Sequence, residues 1–341
     1  GLILYHPLFR LLNVPAGAYQ DACDYMKIIC WGTVFVFGYN AVCSVLKGLG
    51  DSKSPLYFVG IATMINIVMD IMLVGPFGMG TAGAAYATIT AQGISFLISI
   101  FYLRKHRIFF SADTHKKFTF QMDKLAAILK VGLPTAIQMV VVNTAYLLVT
   151  GMLNQFGTSV SAASGVGLQI NTFAGMPCWA IGQAVTAMVG QCIGAGEIKR
   201  ARKVVKIGLL LNISVTLIAV IGVQIFAKQL ILLFGSTSTE VISDGIYYLR
   251  VCCGVNSLIY AVMYTLDSFA IGVGAANIAM FNALLDAVIV RLPVSWLLAF
   301  TLNMGFAGIY FGQAFSPILP AVVGFLYFQS RRWERKSKNR L

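Results

Sequence analysis

Charge is what this chain has least of. Asp, Glu, Lys and Arg make up 11 % of its 341 residues, less than half of the roughly 25 % usual in soluble domains. A soluble globular protein is excluded on that ground. Histidine is scarcer still: His6, His106 and His115 are the only three, all in or near loops. With neither HExxH nor GxSxG in the chain, metal- or serine-dependent hydrolysis lacks its parts, so an intramembrane enzyme has no support. The seven cysteines (Cys23, Cys30, Cys43, Cys178, Cys192, Cys252, Cys253) form no CxxC pair and lie mostly in apolar runs. They read as small packing residues rather than disulfide or zinc ligands.

What is present is apolar length. Hydrophobic residues reach 58 % and the mean hydropathy is +0.80, which indicates a multi-pass integral membrane protein of all-α class. Nine complete spans are read at 21–47, 56–75, 82–103, 130–153, 160–190, 205–226, 246–271, 276–300 and 305–328. Gly1 in place of Met, and an apolar run from Leu2 to Leu12 that looks like the end of a span, lead us to expect a chain lacking its N-terminal part, with no signal peptide. The net charge of +13 would suggest nucleic acid in a soluble protein. Here it follows the loops: twenty of the 25 basic residues fall in 47–53, 104–130, 199–206 and 331–341, which positive-inside makes the cytoplasmic side.

A weak repeat divides the chain. Met79, Gly80, Ala82 and Gly83 recur as Met304, Gly305, Ala307 and Gly308 at an offset of 225. Two parallel lobes of six helices are implied, about 9.5 of the twelve being present. The expected divisions are 1–110 for the rest of the first lobe, 111–129 for a cytoplasmic connector, 130–330 for the second lobe and 331–341 for a basic tail.

The stretch from Leu56 to Leu103 carries the strongest candidate site. It holds two apolar runs around the turn PFGMGT, and the first contains a carboxylate that costs roughly 2.5–3.5 kcal/mol at mid-membrane. Asn66 and Asp70, four apart, stack on one helical face. Thr88 on the returning run is expected at about the depth of Asp70, so that carboxylate, amide and hydroxyl could bind a cation or a proton. In the second lobe Gln138, Asn143 and Gln169 are further polar residues within spans. Pro177, beside Gly175 and Gly182, is expected to kink its helix into a cavity-lining bend. Asp267, Asp286 and Arg291 are its intramembrane charges. Asn282 and Asp286 share a face, whereas Arg291, five beyond Asp286, is expected to point elsewhere and to pair with a neighbouring helix.

Four segments together resemble the multidrug and toxic compound extrusion (MATE) family: LKGLGDSKSPLYF at 46–58, NIVMD with GMGTAGAAYAT through 88, VGLPTAIQMVVV at 131–142 and MVGQCIGAGEIKRARK at 188–203. The resemblance implies twelve helices in two lobes and Na⁺- or H⁺-driven export of amphipathic, often cationic compounds by alternating access. No cofactor beyond the coupling ion is expected, and no nucleic acid; the partners are a small-molecule substrate and the bilayer, with the protein a monomer in the bacterial plasma membrane. It also implies that Asn66, Asp70 and Thr88 match a first-lobe cation site in one branch of the family. Where another branch places an acidic residue on the seventh helix, this chain offers only Gln138 and Asn143. A flippase for lipid-linked oligosaccharides, of the same superfamily, is the alternative, but its basic cavity lining would rest here on Arg291 alone.

Overall fold

In the computed structural model, residues 6, 16–105, 121–235, 238–330 and 332–334 are described. The described chain is helical throughout, with no strand. It forms two compact units, 1–120 and 121–341.

The first unit contains α1 (Ala16–Gly48), α2 (Lys53–Val74) and α3 (Gly80–Lys105). Small residues decide the packing, because without a hydrophobic drive between helices in lipid, close backbone approach is what remains to be gained. Gly32 and Gly38 of α1 lie under Ile89 and Phe96 of α3. On α3 the buried stripe Gly83, Ala87, Ala91, Ser95, Ser99 repeats every four residues. Its Ser95 hydroxyl donates to the Phe58 carbonyl of α2 at 3.0 Å. α3 therefore packs on both partners, while α1 and α2 meet little.

The second unit contains α4 (Met122–Leu153), α5 (Thr158–Gly194), α6 (Ile198–Ile225), the short α7 (Ala227–Leu233), α8 (Thr239–Gly272), α9 (Ala276–Thr301) and α10 (Phe306–Gln329). α8 is central: Thr265 to Ala270 are six consecutive buried residues, so the helix is enclosed on every side by α5, α6, α9 and α10. Eight of the described helices are long and apolar enough to cross a membrane. The ninth, α5, has the length, about 55 Å at 1.5 Å per residue, but a composition rich in Gly, Ser, Thr and Gln. It runs unbroken through Pro177, which is exposed, and its close approaches include Gly167 against Tyr248 and Gly182 against Tyr264.

Nine long helices thus stand where nine spans are read from the sequence. α4 begins at Met122, eight residues before the apolar run, because its first two turns carry Asp123 and Lys124 and stay exposed. The expected first span at Leu2–Leu12 lies outside the described residues, apart from His6, as do 106–120, which include 111–120 of the connector. At the other end Trp333 is buried against Phe269 and Phe328, and Arg202 of α6 holds Glu334 at 2.5 Å.

The repeat extends to individual bonds. Before α3, Met79 N–H donates to Leu73 O (2.9 Å) and Phe77 N–H to Met72 O (3.2 Å). Before α10, Met304 N–H donates to Leu298 O (3.1 Å) and Leu302 N–H to Leu297 O (2.9 Å). Every one of these four pairs is related by 225. Gly78 and Gly80 take φ of +61° and +54°; Asn303 and Gly305 take +54° and +60°. Asn303 is the one non-glycine with positive φ among the described residues, and Asn is among the side chains that tolerate that region.

Candidate functional site

The three residues singled out in the first unit lie on the seam between α2 and α3. On α2 the buried stripe Ser54, Phe58, Ala62 continues at the same four-residue step through Asn66 and Asp70, both half-buried. On α3 the half-buried row Ala84, Thr88, Gln92 runs beside the buried stripe. Two contacts fix the antiparallel register. A Cβ on Gly83 would sit 3.1 Å from Leu73 O, and Ser95 bonds to Phe58 O. Between those contacts Thr88 falls level with Asn66 and Ile67. Asp70 is therefore about one turn, or about 5 Å, nearer the hairpin than Thr88 rather than at its depth. The five-residue turn is tight on α2, where Gly75 and Phe77 fold back onto its last carbonyls, and this shifts the returning helix.

The polar atoms on this seam are short of partners. Asp70 Oδ1, Asn66 Nδ2 and Gln92 Oε1 are buried without a hydrogen bond, whereas the large majority of buried side-chain polar atoms in folded proteins have one. The Thr88 hydroxyl donates to Ala84 O at 2.9 Å on its own helix, leaving its lone pairs as acceptors. Exchanging O and N of the Asn66 amide would turn its orphan donor into an orphan acceptor. Gln92 was missed by reading the sequence; the only signal for it is its four-residue step beyond Thr88. The set is carboxylate, amide and hydroxyl oxygens, which suits a hard cation, or a proton on the carboxylate. No cluster of three His, Cys, Asp or Glu occurs among the described residues, so a thiolate or imidazole metal centre is not what the seam offers.

In the second unit the charges are arranged otherwise. Arg291 does not turn away from Asp286: its Nη2 donates to Asp286 Oδ2 at 2.6 Å, both side chains 3 % exposed. The expectation assumed a 3.6-residue turn, but Leu285–Arg291 is π-helical, and a π turn closes on the fifth residue, stacking Asp286 on Arg291. Pro293 supplies the cause, since its ring clashes with the carbonyl four residues back, that of Ile289, and opens the turn there. Arg291 Nε also donates to the Ser316 hydroxyl (3.3 Å), and its guanidinium lies 4.7 Å from the centre of the Tyr146 ring. Asn282 Nδ2 donates to Asp267 Oδ1 at 2.6 Å. The other candidates stand apart from these charges. Asn143 is exposed and bonds to Met139 O on its own helix; Gln169 is exposed and Gln138 half-buried.

A family model described as MatE matches residues 1–72 and 134–297. The chain belongs to the MATE family. It is 33 % identical to the probable multidrug resistance protein YpnP of Bacillus subtilis across 98 % of this chain and 74 % of that protein. It is 27 % identical to the probable multidrug resistance protein NorM of Thermotoga maritima across 95 % of this chain and 70 % of that protein. Among solved structures, an outward-facing multidrug resistance MATE transporter of the MOP superfamily superposes with a TM-score of 0.91 at 21 % identity, covering 98 % of this chain and 75 % of that one. That likeness carries the fold. This MATE protein is accordingly a multi-pass transporter of the bacterial plasma membrane, of the multidrug efflux family, and not an enzyme.

Proposed function

We propose that this chain belongs to a cation-coupled antiporter that exports amphipathic, often cationic compounds by alternating access, with Na⁺ or H⁺ bound at Asn66, Asp70 and Thr88. The observation that carries the reading is the Asp70 carboxylate oxygen, buried on a helix–helix seam with no donor. A carboxylate held this way in a membrane segment is too costly to keep unless something neutralises it for part of the cycle. A coupling ion is what can come and go. Asn66 and Thr88, with Gln92 beside them, supply neutral oxygens that share the ion's coordination without adding charge. Exporter and bilayer are the whole requirement on this reading, with a small-molecule substrate, a monomer and no cofactor.

The test uses the full-length protein in proteoliposomes, with Na⁺ and pH gradients imposed separately. Asp70→Asn preserves volume and removes the ionisable group; it should insert and melt as wild type yet lose gradient-driven efflux under both gradients. Wild-type efflux from Asp70→Asn would end the assignment. Silent transport with a lowered melting temperature would make the seam a structural contact instead.

A further inference from the structure

Among the described residues, the interior of the second unit holds one more buried acid than it has bases to match. Asp267 and Asp286 are each 2 % exposed and Arg291 3 %, and the Arg291 guanidinium is committed to Asp286. Neither of the two ion pairs among the described residues involves Asp267. Its described side-chain partner is the neutral amide of Asn282, itself 0 % exposed. The amide is used on one edge only: Asn282 Nδ2 donates to Asp267, while Asn282 Oδ1 is buried without any donor. The site is closed from α10 by Gly324, where a Cβ would stand 3.6 Å from Asn282 Nδ2. Among the described residues, the ionisable groups that act on Asp267 are Tyr264 one turn back on α8 and Asp286 on α9, with Cys178 of α5 beyond Tyr264. None of these is a cation.

We infer that Asp267 and Asn282 form a buried carboxylic acid–amide pair, a proton-binding site in the second unit that shares no residue with Asn66, Asp70 and Thr88. A proton taken from water onto the second Asp267 oxygen, Oδ2, converts the carboxylate to a carboxyl. The new O–H donates to Asn282 Oδ1 while Asn282 Nδ2 continues to donate to Asp267 Oδ1, closing a ring of two hydrogen bonds. One proton thereby removes the surplus negative charge and satisfies the orphaned amide oxygen. Asp286 is matched by the Arg291 guanidinium, so the proton belongs to Asp267. Such a buried, uncompensated charge is costly enough that neutralisation is the usual outcome. The site stands whether or not the seam between α2 and α3 binds an ion.

Infrared spectroscopy of the purified full-length protein reads this directly, since a protonated carboxyl absorbs apart from carboxylate and amide. At neutral pH, wild type should show a protonated-carboxyl band that moves on exchange into D₂O, disappears in Asp267→Asn and remains in Asp70→Asn. Asn282→Leu should keep the band but move it to higher frequency, because the carboxyl has lost its ring; this variant decides the matter if Asp267→Asn fails to fold. A carboxylate rather than a carboxyl lost in Asp267→Asn, or a band unmoved in Asn282→Leu, overturns the inference. A Na⁺-dependent rise in melting temperature present in wild type and abolished in Asp267→Asn also overturns it, because the charge would then be matched by metal.

Discussion

The α2–α3 seam and the surroundings of Arg291 place intramembrane polar groups under different conditions. On the α2–α3 seam, Asn66, Asp70 and Gln92 are half-buried and carry polar atoms with no partner. In the second unit, Arg291 is enclosed and engaged by Asp286, Ser316 and Tyr146, and Asn212 donates to Thr265 at 2.8 Å on the α6–α8 contact. Polar groups that find each other build structure; polar groups left waiting at a half-open seam suit a ligand that arrives and leaves. The distinction is one of satisfaction rather than polarity, since each place contains an Asp within a membrane span.

The largest effect should come from breaking the satisfied side. Arg291→Met strands Asp286 in a buried site and should destabilise the protein by about 3–5 kcal/mol, read as a fall in unfolding midpoint in detergent. Replacing both residues, Arg291→Met with Asp286→Leu, should recover most of that loss. If the double variant is as unstable as the single one, the pair is not a self-contained ion pair and the contrast weakens.

The seam should respond in transport instead. Asn66→Ala, Thr88→Ala and Gln92→Leu each remove one neutral ligand, worth about 1 kcal/mol, and should lower coupled efflux by about fivefold with little change in melting temperature. A loss of stability without loss of coupling in all three would move the seam to the structural side.

The smallest effect tests a satisfied group within the first unit itself. Asp51 Oδ1 accepts from Lys53 and Ser54 N–H at the start of α2, and its Oδ2 accepts from the Tyr102 hydroxyl of α3 at 3.1 Å. The hydrogen bonds from Ser54, side chain before backbone, hold this carboxyl below its ordinary range. A carboxylate with a depressed value stabilises fully above its unfolded titration, near about 3.9, and loses that contribution as pH falls through the lower folded value. Asp51→Ala should therefore cost about 1 kcal/mol or less near neutrality, given its exposure. The difference from wild type should vanish in strong acid, measured as melting temperature against pH.

Much of this was legible in the chain because it depends on local period and turn chemistry. Apolar runs bounded by Gly-rich turns located the helices, and four glycine, alanine and methionine positions 225 apart marked hairpins that share two equivalent backbone bonds. The four-residue step from Asn66 to Asp70 placed them on one face without any structure. Arg291 failed for a physical reason: a reading at 3.6 residues per turn cannot anticipate a segment that Pro293 forces wider. Tyr146 and Ser316 reach Arg291 from helices far along the chain, and no spacing encodes that. Gln92 lay in plain view at the right step but had no charge to draw attention to it.

The wide turn in α9 also makes residue count matter. A stretch that closes on the fifth residue holds more chain than an α-helix of equal rise, so removing one residue between Leu285 and Arg291 could restore ordinary winding. The helix beyond would keep nearly its present facing, because the wide turn is what absorbs the additional residue. Ser295, which presses on Gly312 of α10 where no side chain fits, would stay on that contact. The same single-codon deletion in an ordinary turn of α9 would instead rotate everything after it by about 100°.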